Sequence, residues 1–179
     1  MKVLILGGVW CLYSAFAWAV LFHFRQNPLA PGMRAISVLT SLFILIFSGS
    51  ALLGHHVPLN PYSTLILLFA SGGLFAWAVS ATRHAKLPLA FDRSSPECLI
   101  SRGPYGFVRH PFYLSYTLCW LGCLLSSPNI PLIILGSLIV ALYVISMRRE
   151  EKTLQATFGD DFERYRNATG ILWPKVARN

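Results

Sequence analysis

Three stretches of this chain, about Val3 to Phe22, Ala35 to Leu53 and Tyr62 to Ala81, are apolar almost without interruption. Each is about 20 residues long, the length at which a helix crosses a hydrocarbon layer of roughly 30 Å. A helix satisfies its own backbone polar groups, so it is the element such a run must form in lipid. Two more apolar runs follow, a shorter one from about Pro111 to Leu125 and another from about Ile130 to Met147. Ser126-Ser127-Pro128-Asn129 between them reads as a tight turn, so this pair is expected to form an antiparallel helical hairpin. Hydrophobic residues make up 55% of the 179-residue chain and charged residues 12%, the latter about half the share of an average soluble domain. The expected fold is therefore all-α and integral to a membrane, one domain over residues 1–179 with five transmembrane helices. Three spans occupy 1–82; a loop, the hairpin and a helical tail occupy 83–179.

Positive charge sets the orientation. Lys2 alone precedes the first span, and Arg25 and Arg34 follow it; the second loop, 54–61, has no Lys or Arg. The third loop carries Arg83, Lys86, Arg93, Arg102 and Arg109, the hairpin turn has none, and the tail carries Arg148, Arg149, Lys152, Arg164, Arg166, Lys175 and Arg178. Basic loops concentrate on the cytoplasmic side, which predicts the N-terminus outside and the C-terminus in the cytoplasm. All seven acidic residues also lie in the third loop and tail, so the chemistry is expected at the cytoplasmic face. The net charge of +8 then reads as orientation and anionic lipid contact. Nucleic acid is not an expected partner, because there is no polar domain to carry it. Ala15-Phe16-Ala17 behind Lys2 resembles a signal cleavage site, but the apolar run continues past it to Phe22. Cys119 and Cys123 fall one turn apart in an apolar run and read as small buried hydrophobes. His55-His56 lacks acidic neighbours, and no cysteine spacing suits a metal, so none is expected. Ser71, Gly72, Gly73 and Ser80 predict close helix packing in the third span.

Two polar clusters border the hairpin. Arg102-Gly103-Pro104-Tyr105-Gly106-Phe107-Val108-Arg109-His110-Pro111-Phe112-Tyr113-Leu114 leads into its first helix, and Arg148-Arg149-Glu150-Glu151 closes its second. Charge at such a border is costly unless it holds something. Pro111 suits the first turn of a helix and biases His110 toward an extended backbone. That helix end presents unsatisfied N–H groups, which attract carboxylates and phosphates. Counting about four turns up each arm from the hairpin turn brings the two clusters to one depth. The second helix is expected to run on past the membrane, with Tyr143, Met147, Glu150 and Leu154 on one side, to a stop at Gly159. A short helix over 160–165 and an interfacial Trp173-Pro174 should follow.

Gly103-Pro104-Tyr105, then Arg109-His110-Pro111-x-Tyr113, then a hairpin and Glu150-Glu151, resembles the isoprenylcysteine carboxyl methyltransferase family and the related phospholipid methyltransferases. Phe158-Gly159, Tyr165 and Pro174 are similar to the end of that family, so the resemblance covers about Cys98 to Pro174. Gly106 departs from it, standing where the family often has a bulkier residue. The resemblance implies an S-adenosylmethionine-dependent methyltransferase of the membrane. It implies that Tyr105, Arg109, His110, Pro111, Tyr113, Leu114, Glu150 and Glu151 hold the cofactor. The cofactor's carboxylate would suit Arg109 and the helix start, its ribose hydroxyls and ammonium Glu150 and Glu151, and its sulfonium the face of Tyr113. Catalytic expectations are Arg149, to orient a carboxylate acceptor, and Glu151 or a tyrosine, to take a proton from an amine. The acceptor is expected to be lipophilic or prenylated, an isoprenylcysteine-type carboxyl first and a phospholipid amine second. A sterol-reductase-like enzyme using a nicotinamide cofactor and a non-catalytic membrane scaffold are the competing readings. Oligomeric state is not legible.

Overall fold

The structure, a computed structural model, describes residues 1–24, 30–53, 61–85, 91 and 98–175. Arg25, His55, His56, Lys86, Arg93 and Arg178, which entered the charge pattern and loop reading, lie outside the described residues. Among the described residues, six α-helices make up the fold. Helix α1 is Lys2–Trp18, prolonged by a π-helical turn Ala19–His23; α2 is Pro31–Leu52 and α3 is Pro61–Thr82. A 3-10 turn, Gly103–Gly106, leads to α4, Pro111–Ser126; then come α5, Ile130–Phe158, and α6, Asp160–Ala168. Proline marks the helix starts: Pro31, Pro61 and Pro111 are first residues and Pro131 is second. A first-turn residue has no intrahelical use for its N–H, so proline costs nothing there and presets φ.

The protein is an all-α integral membrane protein. Four stretches, Lys2–His23, Pro31–Leu52, Pro61–Thr82 and Ile130–Phe158, are long and apolar enough to cross a membrane. Their outward faces are apolar too: Val3, Phe69, Ile66 and Leu45 are all more than 60% exposed, as lipid-facing residues should be. Helix α4 has 16 residues, about 24 Å at 1.5 Å each, and falls short of the full hydrocarbon thickness. Helix α5 has 29 and extends well beyond its apolar part.

Helix α4 packs most closely on α3, while α5 packs chiefly on α2. The two arms of the hairpin thus share a turn but lean on different neighbours. The α3–α4 contact is close because small residues line it: Ser71 donates to the Ser115 carbonyl (2.7 Å), and a Cβ on Gly122 would lie 3.5 Å from the Thr64 carbonyl oxygen. Of the four small residues expected to pack, Ser71 and Gly72 do so, the latter facing Leu12 on α1. Gly73 meets open space, and Ser80 bonds only to its own helix. Cys119 and Cys123 are fully buried. Ala15-Phe16-Ala17 sits inside α1, with Phe16 buried against Phe75 and Tyr116.

The hairpin turn is held by Asn129, whose Oδ1 accepts from Leu132 N at 3.0 Å, and by Ser127 against Ser50 at 3.0 Å. At the far end α5 stops at Gly159, with φ 50° and ψ −120°, a region where a Cβ is strained. The same residue starts α6, which turns the chain back over the hairpin.

Candidate active site

The segment after α6 is stitched to the segment before α4. Arg109 N donates to Gly170 O (2.8 Å), Gly170 N to Phe107 O and His110 N to Ile171 O (both 3.2 Å). Tyr165 adds a side-chain tie, its hydroxyl donating to Tyr105 O at 2.8 Å. Gly170 is required for steric reasons: a Cβ there would come within 1.6 Å of the Trp173 carbonyl oxygen. Gly106 has a similar cause, since a Cβ on it would lie 3.3 Å from the Ser101 carbonyl oxygen.

This strap fixes Arg109 and His110 beside the end of α5. Arg109 is buried, and its guanidinium is held from within the protein at Nε and Nη1. Nε donates to Glu151 at 2.7 Å, and Nη1 donates to the carbonyls of Thr169 (2.5 Å) and Arg166 (3.2 Å). His110, also buried, sits between the two glutamates, with Nε2 3.2 Å from Glu151 Oε1 and Nδ1 3.6 Å from Glu150 Oε2. Burial alone would lower the pKa of His110, but the hydrogen bonds and charges of Glu150 and Glu151 outweigh it and raise it. The ring therefore holds its proton more tightly than a free imidazole, between two carboxylates. On the other side of Glu150, Tyr113 donates its hydroxyl proton to the carboxylate, and Ser146 Oγ donates to Glu150 Oε1 at 3.1 Å. The Tyr113 oxygen lies 2.9 Å from Ser146 Oγ. The clusters meet, and the bonds from Arg109, His110 and Tyr113 are side-chain links from the loop and α4 to α5.

A cavity of about 350 Å³ opens against this network, a volume in the range of small-molecule sites. Tyr105, Arg109, His110, Pro111, Tyr113, Glu150 and Tyr165 line its polar end. The first two N–H groups of α4, on Phe112 and Tyr113, precede the first intrahelical bond, Leu114 N to His110 O. The other half is apolar and runs between α1 and α2 on one side and α4 and α5 on the other, past Phe16, Met33, Ile36 and Tyr116 to Trp120.

Several expected site residues stand elsewhere. Arg149 is exposed and does not line the cavity; its guanidinium lies 5.2 Å from the centre of the Phe91 ring. It is therefore not placed to orient an acceptor in the cavity, because one step along a helix turns a side chain by about 100°. Glu151 is committed to Arg109 and His110 and is not a wall of the cavity, so it braces the site and leaves Glu150 as the facing carboxylate. Leu114 is half-buried outside the lining. A tyrosine base is disfavoured by the loop and tail phenols: burial pushes Tyr165 up to about 12 and raises Tyr105 well above its ordinary value. Sequence reasoning missed the apolar half altogether. The wall from α1 and α2 lies more than 60 residues from the motif, and hydropathy alone does not distinguish it from lipid-facing surface.

The family model for phospholipid methyltransferases matches residues 59–161, more than half of the chain. The chain belongs to the phospholipid methyltransferase family. The match runs from just before α3 to the start of α6 and so takes in the whole polar cluster except the strap. No curated protein matches the chain. Family membership supports a membrane methyltransferase acting on lipid-like substrates over the sterol-reductase and scaffold readings.

Proposed function

We propose that this protein transfers a methyl group from S-adenosylmethionine to the polar headgroup of a lipid-like acceptor at the cytoplasmic face of its membrane. The observation that carries the reading is the form of the cavity: Glu150 and the first-turn amides of α4 at one end, an apolar channel at the other. The polar end fits the cofactor by donor chemistry. Glu150 accepts from an ammonium or ribose hydroxyls, the α4 start receives a carboxylate, and the rings of Tyr105, Tyr113 and Tyr165 offer faces to a cation. Bound there, S-adenosylmethionine supplies an electrophilic methyl group on a sulfonium.

The chain's own task is alignment and exclusion of water. Arg109 and the strap hold the mouth of the cavity in one geometry. His110, lying between the two glutamates, fixes the carboxylate of Glu150 in place. Phe16, Phe112 and Tyr116 keep the far half dry. An amine acceptor is favoured over a carboxylate one, because the arginine expected to orient a carboxylate sits over Phe91 and the carboxylate of Glu150 faces the cavity. Glu150 is placed to take the proton that an ammonium headgroup must lose. A prenylated cysteine carboxyl is the second reading, supported by the motif that resembles that family.

Calorimetric titration of the purified protein with S-adenosylhomocysteine tests the cofactor. Binding is expected, with at least about a tenfold loss in Glu150→Gln, the size of one charge-assisted hydrogen bond. No binding to folded protein overturns the reading. Labelled methyl transfer to short-chain lysophosphatidylethanolamine, against transfer to an S-prenylated cysteine, then separates amine from carboxyl.

A further inference from the structure

The cavity has a closed floor. Trp120 on α4 donates its indole N–H to the Tyr143 hydroxyl on α5 at 3.2 Å, which bridges the two arms of the hairpin. Trp120 also packs edge-on and tilted against Phe16 of α1 and Phe43 of α2, with ring centres 6.2 and 5.3 Å apart. Four helices thus converge on one indole. Beneath it, Phe43, Cys123, Leu132 and Ile139 have no exposed surface at all. Nothing but packed core continues along the hairpin axis.

The depth of the floor follows from helical rise. Tyr143 lies two turns below Glu150, roughly 10 Å, and Trp120 lies nine residues into α4 from Pro111, roughly 13 Å. One leaflet of a bilayer is about 15 Å of hydrocarbon. The apolar half of the cavity is therefore shorter than a full-length lipid chain.

We infer that the Trp120–Tyr143 bridge limits the acceptor's reach below the polar end to roughly 10–13 Å and so sets the length of the one apolar chain it admits. This rests on the cavity being the methyl-transfer site. A longer chain must fold back on itself, turn out through the open side of the cavity or leave its headgroup displaced from Glu150, and each costs burial or alignment. Tyr143 acts here through Trp120 and is a positioning residue; Trp120 is the contact. A methylene that does not fit an apolar pocket costs roughly tenfold or more in specificity, so a packed floor in the path of the chain acts as a length filter.

The test uses the full-length protein in detergent with S-adenosylmethionine and a series of saturated single-chain lysophosphatidylethanolamines, from about eight to about eighteen carbons. S-geranyl, S-farnesyl and S-geranylgeranyl N-acetylcysteine form a second series, since a carboxyl acceptor would meet the same floor. The expected result is a maximum in kcat/KM at a chain well short of sixteen carbons, with at least about a tenfold fall by sixteen carbons. Trp120→Ala should move the maximum to longer chains, and the milder Trp120→Phe should move it in the same direction by less. Tyr143→Phe keeps the volume and frees the indole, so it should broaden the profile without moving its centre. A flat wild-type profile, or a maximum that stays put in both Trp120 variants, overturns the inference. If Trp120→Ala does not fold, the wild-type series and Trp120→Phe decide it. Methyl transfer to no member of either series, with S-adenosylhomocysteine still bound, would instead sink the acceptor reading, and that outcome is distinct from transfer without length preference.

Discussion

His110 is the residue on which the polar network turns. Its two ring nitrogens face two carboxylates, and its pKa in the folded protein is raised above the ordinary 6.5. A raised pKa means that folding favours the protonated ring. The stabilisation is complete below pH 6.5 and fades as pH climbs through the raised value. Thermal unfolding measured across that window should show the wild-type protein losing stability on the alkaline side, while His110→Gln, with nothing to titrate, stays flatter there. Equal slopes would mean that the imidazole is neutral in the folded state. The neighbouring glutamates should separate by function. Glu151→Gln leaves the buried Arg109 without its charge partner and should cost about 3 kcal/mol in an unfolding titration, whereas Glu150→Gln should spare the fold and weaken S-adenosylhomocysteine. Neither difference was visible in the string Arg149-Glu150-Glu151, since residue types alone do not say which way each points.

The elements themselves were largely legible. Prolines at 31, 61, 111 and 131, the Asn129 cap and Gly159 are local signals with local physical causes, and the helices begin and end beside them. The extension of α5 to Phe158 and the short helix after it followed from the same signals. The strap did not. Val108 and Gly170 pair as a lone parallel bridge 62 positions apart, and no periodicity marks a single bridge. Its glycine gives it away only once Trp173 is seen folding back onto it. Gly170→Ala should therefore release the tail from Arg109 and His110. Limited proteolysis should cut the variant in its last ten or so residues, with S-adenosylhomocysteine affinity lowered and the helical content unchanged. Gly159→Ala, at a positive φ, should cost about 1–3 kcal/mol and show as a lower unfolding temperature.

At the scale of the whole molecule, the splay of the hairpin creates the cavity. Helix α4 follows α3 and α5 follows α2, and α1 enters the space between them from the side. The sidedness drawn from loop charge has a direct check in Cys98, which is exposed and lies at the wall of the cavity. A membrane-impermeant maleimide should label it in inverted vesicles and leave it untouched in intact cells; labelling from outside would reverse the proposed orientation. Hydropathy, loop charge and helix-boundary residues were enough to read an all-α membrane chain with two polar clusters at one depth, because each is a property of consecutive residues and their solvent. The direction of Glu150 against Glu151, the exile of Arg149 to Phe91 and the apolar half of the site depended on how four helices are rotated about their own axes. That rotation is settled by contacts between residues far apart in the chain, such as Trp120 with Phe16 and Phe43, and no window of sequence contains them.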